Sequence, residues 1–251
     1  MTDAQKEARL LIGTLDLTTL NDDCTAADVD ALIERAQTPQ GPVAAICIWP
    51  RFVRQARAKL PAGMKLATVV NFPSGGDDVE ATCAETRQAV SDGADEIDLV
   101  ISYRRVASDP GFVEQQVRAV KEAAGSARLK AILETGELAD PDLILSAAEA
   151  ALRGGADFLK TSTGKVPVSA TPEAARILLQ VIASEGLPVG FKPSGGIRTF
   201  EDAKLYRDMA EEICGAGWAV PERFRIGASG VLADLLKVAE GAKRGTSKSG
   251  Y

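Results

Sequence analysis

The sequence predicts an α/β chain folded as one (β/α)8 barrel, the TIM-barrel architecture, with residues 1–251 forming a single domain. Three observations carry this expectation. Short apolar runs recur eight times along the chain, each followed by a longer segment whose apolar residues have helical spacing. No long Ser/Gly/Pro-rich linker or shift of composition divides the 251 residues. Eight β-α units in about 250 residues is the arithmetic of this barrel. A doubly wound open sheet is the alternative, but it needs fewer strands, and the chain lacks the GxGxxG turn of such sheets.

In chain order, strands are expected near 11–16, 44–49, 65–70, 95–101, 128–133, 157–161, 188–192 and 224–228. The helices between them carry start signals. Asn21 to Thr25 precede an apolar-periodic stretch, Thr171 stands before Pro172 and Glu173, and Thr199 precedes Glu201 and Asp202. Two units echo each other: Gly93-Ala94-Asp95-Glu96-Ile97-Asp98 aligns with Gly155-Ala156-Asp157-Phe158-Leu159-Lys160. The alignment puts Asp98 and Lys160 at equivalent places on their strands. Residues from about 241 to 251 form a polar tail rich in Gly, Ser and Lys.

Composition narrows the function. A hydrophobic share of 45% and a charged share of 25% suit a globular chain. The 29 Lys and Arg against 35 Asp and Glu leave a net charge of −6, which argues against nucleic acid as the main partner. No apolar run approaches a membrane span, and the polar start from Met1 to Leu10 lacks a secretion signal, so a cytoplasmic location is expected. Cys24, Cys47, Cys83 and Cys214 lie far apart without metal-ligand spacing and read as free thiols. There is no histidine. Ser-His-Asp and Cys-His catalysis and His-based zinc sites are therefore excluded.

Alternation along the strands turns several polar residues into the barrel. With Ile97, Leu99 and Ile101 facing the helices, Asp98 points inward; Leu159 and Phe191 outward likewise place Lys160 and Lys192 inward. The same parity turns Asp16, Cys47, Asn71 and Glu134 inward. Buried salt bridges alone are the plainer explanation. Barrel active sites, however, are built at the C-terminal ends of strands, and unpaired charges in a packed core are costly.

Lys160 is the candidate nucleophile. At a reference pKa near 10.4 only about 0.04% of a lysine is neutral at pH 7. A second ammonium ~6 Å away, at an effective dielectric of ~20, contributes roughly 3 kcal/mol of repulsion, or about two pKa units. Lys192 on the neighbouring strand can supply that charge. From the residues alone the two lysines could exchange roles, and Lys165 is a third nearby amine.

Glycine-rich turns follow the last two strands. Ser194-Gly195-Gly196-Ile197-Arg198 comes after the seventh, and Gly227-Ala228-Ser229-Gly230 ends the eighth and opens a helix. Turn chemistry explains either loop alone; both together, at these strands, match the usual phosphate site of the barrel. Thr161-Ser162-Thr163-Gly164-Lys165 is not a P-loop, because Leu159 stands where the first glycine belongs and Val166 where Ser or Thr belongs. In a barrel this loop instead sets the Thr163 hydroxyl and the Lys165 ammonium beside the phosphate.

Asp16-Leu17-Thr18, Cys47 in its apolar strand, Glu96-Ile97-Asp98, Glu134-Thr135-Gly136, Lys160-Thr161-Ser162-Thr163-Gly164 and Phe191-Lys192-Pro193-Ser194-Gly195-Gly196-Ile197-Arg198 together resemble the deoxyribose-phosphate aldolases. The resemblance runs from about Leu11 to Leu236. It implies a metal-free, cofactor-free class I aldolase that reversibly cleaves 2-deoxy-D-ribose 5-phosphate to D-glyceraldehyde 3-phosphate and acetaldehyde. Its partners would be these small molecules, and a homodimer is among the assemblies open to it.

By position, the resemblance makes Lys160 the Schiff-base lysine, Lys192 the lysine that lowers its pKa and shares proton transfer, and Asp98 the relay carboxylate. Asp16 and Cys47 match residues around the substrate hydroxyl and aldehyde. Thr163, Lys165, Gly195, Gly196 and Ser229 match the phosphate and carbinolamine surroundings. Tyr251 would reach into the site, whereas disorder is the ordinary expectation for such a tail. Gly230 departs from many bacterial members, which carry a second serine there; one lost hydrogen bond weakens phosphate binding by about 0.5–1.5 kcal/mol. Two other functions fit parts of the pattern: a different Schiff-base aldolase or transaldolase, and a phosphosugar-binding barrel without catalysis.

Overall fold

The computed structural model describes residues 1–186 and 188–241. Eight strands run parallel around a barrel: β1 (Leu15–Thr19), β2 (Ala45–Ile48), β3 (Lys65–Val70), β4 (Glu96–Val100), β5 (Arg128–Ile132), β6 (Phe158–Lys160), β7 (Gly190–Lys192) and β8 (Ile226–Ala228). Each pairs with its neighbour in chain order, and β8 pairs with β1 through Leu15–Ile226 and Asp16–Gly227. The last seam, between β7 and β8, closes through bridges at Phe191–Phe224 and Ser194–Gly227. The (β/α)8 class expected from the sequence is therefore the class found.

Helix α1 (Asp3–Gly13) precedes β1, and α2 (Ala26–Arg35), α3 (Val53–Lys59), α4 (Val79–Ser91) and α5 (Pro110–Ala124) follow the first four strands. After β5 come a single turn, α6 (Thr135–Leu138), and then α7 (Pro141–Arg153). Helices α8 (Pro172–Glu185), α9 (Phe200–Cys214) and α10 (Val231–Glu240) complete the ring. Their starts are where the side-chain signals put them. Thr25 with Asp28 and Thr199 with Asp202 form reciprocal capping boxes, and Thr171 caps α8 with Pro172 at its first position.

The first strand is a correction. Residues 11–16 were expected to form it, but Leu11 and Ile12 belong to α1 and the strand starts at Leu15. Ala8, Leu11 and Ile12 form the buried stripe of that helix, at the i, i+3, i+4 spacing of a helix face. A short apolar run next to a strand reads the same way in either structure. The other seven strands start and end within two residues of expectation.

Alternation divides the core in two. Leu15, Leu17, Ile46, Ile48, Ile97, Leu99, Leu129, Leu159 and Phe191 face the helices within the large apolar cluster. Cys47, Ala67 and Val69 face inward and form a small cluster with Leu20. The interior also holds a group of charged side chains, with Arg225 lying over the Phe158 ring. The echoed units prove structurally alike: Asp95 accepts a hydrogen bond from the Leu66 N–H and pairs with Arg57, while Asp157 accepts from the Leu129 N–H and pairs with Lys121.

Candidate active site

Three carboxylates and four cationic side chains meet inside the barrel. Asp98 Oδ2 accepts from both Lys160 Nζ and Lys192 Nζ, each at 2.7 Å, and its Oδ1 accepts from Lys130 Nζ at 2.8 Å. Lys192 also donates to Asp16 Oδ2 at 2.5 Å. Arg225 donates to Asp16 Oδ1 at 2.6 Å and clamps Glu96 at 2.8 and 3.1 Å, and Glu96 lies 2.6 Å from Lys130. All seven residues are buried.

Burial and charge act in opposite directions here. Burial alone pushes the Asp16 and Asp98 carboxyls up, but the surrounding lysines, with Arg225 beside Asp16, outweigh it and hold both below the ordinary range. Burial pushes Lys192 and Lys130 down, yet their carboxylates hold both protonated. Lys160 differs. Burial and the nearby Lys192 charge together outweigh Asp98, so its pKa falls below the ordinary lysine value. Lys160 also differs in access, because it borders the open cavity at the strand ends while Lys192 is fully buried.

That cavity has a volume of about 1000 Å³ and brings together Lys160, Thr163, Lys165, Gly195, Gly196, Ser229 and Gly230. Gly195 and Gly196 have φ of +82° and +81°, two successive left-handed positions that suit glycine alone. Gly230 is the N-cap of α10, so a helix N-terminus opens at the cavity wall beside Ser229. Exposed N–H groups at such a terminus attract anions. Thr163 donates its hydroxyl to Glu134 at 2.6 Å, and Lys165 pairs with Asp22 at 3.2 Å.

Several expected placements need refinement. Asn71 does not join the barrel interior: in the loop after β3 its backbone is left-handed, with φ of 54°, and its side chain bonds Gly76 and the Val100 carbonyl at the end of β4. A left-handed residue breaks strand alternation. Glu134, also left-handed at φ 53°, sits against Thr163 and outside the ion cluster. Burial pushes its carboxyl up. Cys47 is enclosed by the barrel rather than exposed to the cavity, and burial pushes its thiol up to about 11, which keeps it protonated. Tyr251 lies outside the described residues.

Glu96, Lys130 and Arg225 were missed as interior charges at the level of sequence. The alternation that turned Asp98 inward applies equally to Glu96, two residues earlier. It applies to Lys130 between the outward Leu129 and Ala131, and to Arg225 between Phe224 and Ile226. Arg35 and Arg198, which also border the cavity, lay outside the candidate set.

A cavity-facing lysine with a depressed pKa, at the end of a barrel strand and beside two glycine-rich turns, is an arrangement that suits a lysine-dependent aldolase. The chain belongs to the DeoC/LacD family aldolases, whose family model matches residues 10–237. It is thus an aldolase, a carbon–carbon lyase. A deoxyribose-phosphate aldolase from Agrobacterium fabrum is 53% identical over 98% of this chain and 97% of its own length. A solved structure from Toxoplasma gondii ME49 superposes with a TM-score of 0.86 at 29% identity, covering 96% of this chain and 99% of its own. The deoxyribose phosphate aldolase from Aeropyrum pernix, described as tetrameric, gives 0.75 at 28% identity over 96% and 97%.

Proposed function

We propose that the chain is a deoxyribose-phosphate aldolase, cleaving 2-deoxy-D-ribose 5-phosphate to D-glyceraldehyde 3-phosphate and acetaldehyde through an imine on Lys160. The observation that carries this reading is the asymmetry of the lysine pair. Both amines are 2.7 Å from one Asp98 oxygen, yet Lys160 alone of the two borders the cavity. Burial and Lys192 lower its pKa. That asymmetry supports one division of the roles left open by the residues alone: Lys160 attacks, and Lys192, protonated at rest, supplies the neighbouring charge.

Neutral Lys160 adds to the C1 aldehyde, and loss of water gives an iminium. The iminium accepts the electron pair of the C2–C3 bond as a base takes the C3 hydroxyl proton. D-Glyceraldehyde 3-phosphate leaves, and the resulting enamine is protonated at carbon and hydrolysed to acetaldehyde. The iminium is the electron sink, so the chemistry needs neither metal nor organic cofactor. Asp98 is a weak base, because the lysines hold its pKa well below normal. Its part is to join the two lysines through one oxygen, with Lys192 exchanging protons through water. Asp16 fixes Lys192 from the other side, and the Gly195, Gly196, Ser229 and Gly230 backbone with Lys165 holds the phosphate.

We further infer a homodimer and a cytoplasmic setting. Leu10 and Leu205, two exposed apolar side chains, lie on α1 and α9, helices joined by the Arg207–Glu7 ion pair. Sedimentation velocity separates a dimer from a tetramer like that described for the Aeropyrum pernix relative. The four cysteines are free thiols, as suits a reducing compartment.

Borohydride trapping with acetaldehyde, followed by peptide mass mapping, tests the reaction. The expected result is one lysine, Lys160, heavier by about 28 Da, and no adduct in Lys160→Met. An adduct at Lys192 reverses the roles. No adduct on the folded protein overturns the aldolase mechanism.

A further inference from the structure

Arg35, the last residue of α2, borders the same cavity as Ser229 and Gly230. A basic residue in the last turn of a helix ordinarily needs no further reason, because it complements the helix dipole. The head group of Arg35 is placed differently. Its Nη2 donates to the carbonyl oxygen of Ser229 at 3.3 Å, across 194 residues of sequence. That residue immediately precedes the N-cap of α10, and the Gly230 cap offers no side-chain hydrogen bond.

Two features make this guanidinium available to an anion. The Ser229 bond uses one of the five N–H donors of an arginine. No carboxylate among the described residues forms an ion pair with it, whereas Lys165 on the same cavity is paired with Asp22. Anchored by one donor, the planar fork keeps donors free next to the turn and helix end already assigned to the phosphate. Arginine suits such an anion because its donors can engage two oxygens at once.

We infer that Arg35 is a phosphate-recognition residue, which sets the preference of this aldolase for phosphorylated over unphosphorylated 2-deoxy sugars. The inference rests on the proposed aldol reaction and adds a specificity determinant from α2, outside the two glycine-rich turns.

The test compares wild-type enzyme with Arg35→Gln and Arg35→Lys. Gln retains a donor for the Ser229 carbonyl without the charge; Lys retains the charge without the fork. Two readouts are taken: the ratio of kcat/KM for 2-deoxyribose 5-phosphate to that for 2-deoxyribose, and the Kd of inorganic phosphate. In Arg35→Gln the ratio is expected to fall on the order of ten- to hundredfold, through KM more than kcat, with weaker phosphate binding. Arg35→Lys should recover part of the ratio, and added salt should narrow the gap between wild type and Arg35→Gln. An unchanged ratio and unchanged phosphate Kd in Arg35→Gln overturn the assignment and leave Arg35 as a strap between α2 and the β8–α10 turn. A wild-type protein that cleaves neither sugar, yet binds phosphate more tightly than Arg35→Gln does, overturns the aldol reading and keeps the anion site.

Discussion

At the scale of the residue, the proposed reaction depends on which amine is neutral. Lys192 lowers the Lys160 pKa by its charge, while Asp98 opposes it. Replacing Lys192 with Met therefore leaves Lys160 facing Asp98 with less repulsion, and its pKa rises. The expected outcome is that borohydride trapping at Lys160 moves to higher pH by on the order of one to two units. Rates of trapping across a pH series check the shift, and an unmoved profile refutes it. The same change strips a partner from buried Asp16 and Asp98, so thermal unfolding should show a loss of about 3 kcal/mol. Parity made Asp98, Lys160 and Lys192 legible in the sequence, because each follows an outward apolar residue, Ile97, Leu159 and Phe191. Asn71 and Glu134 were not, since left-handed backbone ends the alternation and nothing in the residue type announces it.

Elements were easier to read than their edges. Thr25, Thr171 and Thr199 cap helices where the sequence signals put them. The run at Leu11 and Ile12 misled because four or five apolar residues fit a helix stripe and a strand alike. Close contact between elements was less legible still. A Cβ on Gly227 of β8 would lie 2.7 Å from Ser194 Cβ and 3.0 Å from Lys192 Cε. Glycine there lets the Lys192 stem cross to Asp16. Gly227→Ala should therefore reduce kcat by about tenfold or more through displacement of Lys192, and cost about 1–3 kcal/mol of stability by overpacking. Steady-state kinetics with chemical denaturation measure both, and an activity equal to wild type would show that the stem is free to shift.

For the whole molecule, the buried ion cluster couples stability to acid. Asp16, Glu96 and Asp98 are carboxylates whose pKa values are lower folded than unfolded, with cations overcoming the effect of burial in each. Their contribution is complete above the unfolded values, near 4, and fades as pH falls through the folded ones. Melting temperature should thus be nearly level from about pH 7 to 5 and drop steeply below about pH 4. A series of thermal melts across that range is the measurement; a decline centred near pH 6 would contradict the assignment. The barrel itself was legible from the recurrence of its units. The ion cluster was half legible, because partners from distant strands meet only when the sheet closes and brings Arg225 against Asp16.

Consider the barrel interior as a ledger of signs. Lys130, Lys192 and Arg225 match Asp98, Asp16 and Glu96 one for one. A deprotonated Lys160 leaves that enclosure electrically neutral. In the proposed reaction an iminium at the same nitrogen adds a positive charge that this count leaves unmatched, and breaking the carbon–carbon bond converts it into an uncharged enamine. The enclosure therefore penalises the intermediate before cleavage more than the one after it. The charge arrangement that readies the amine for attack also drives the bond to break.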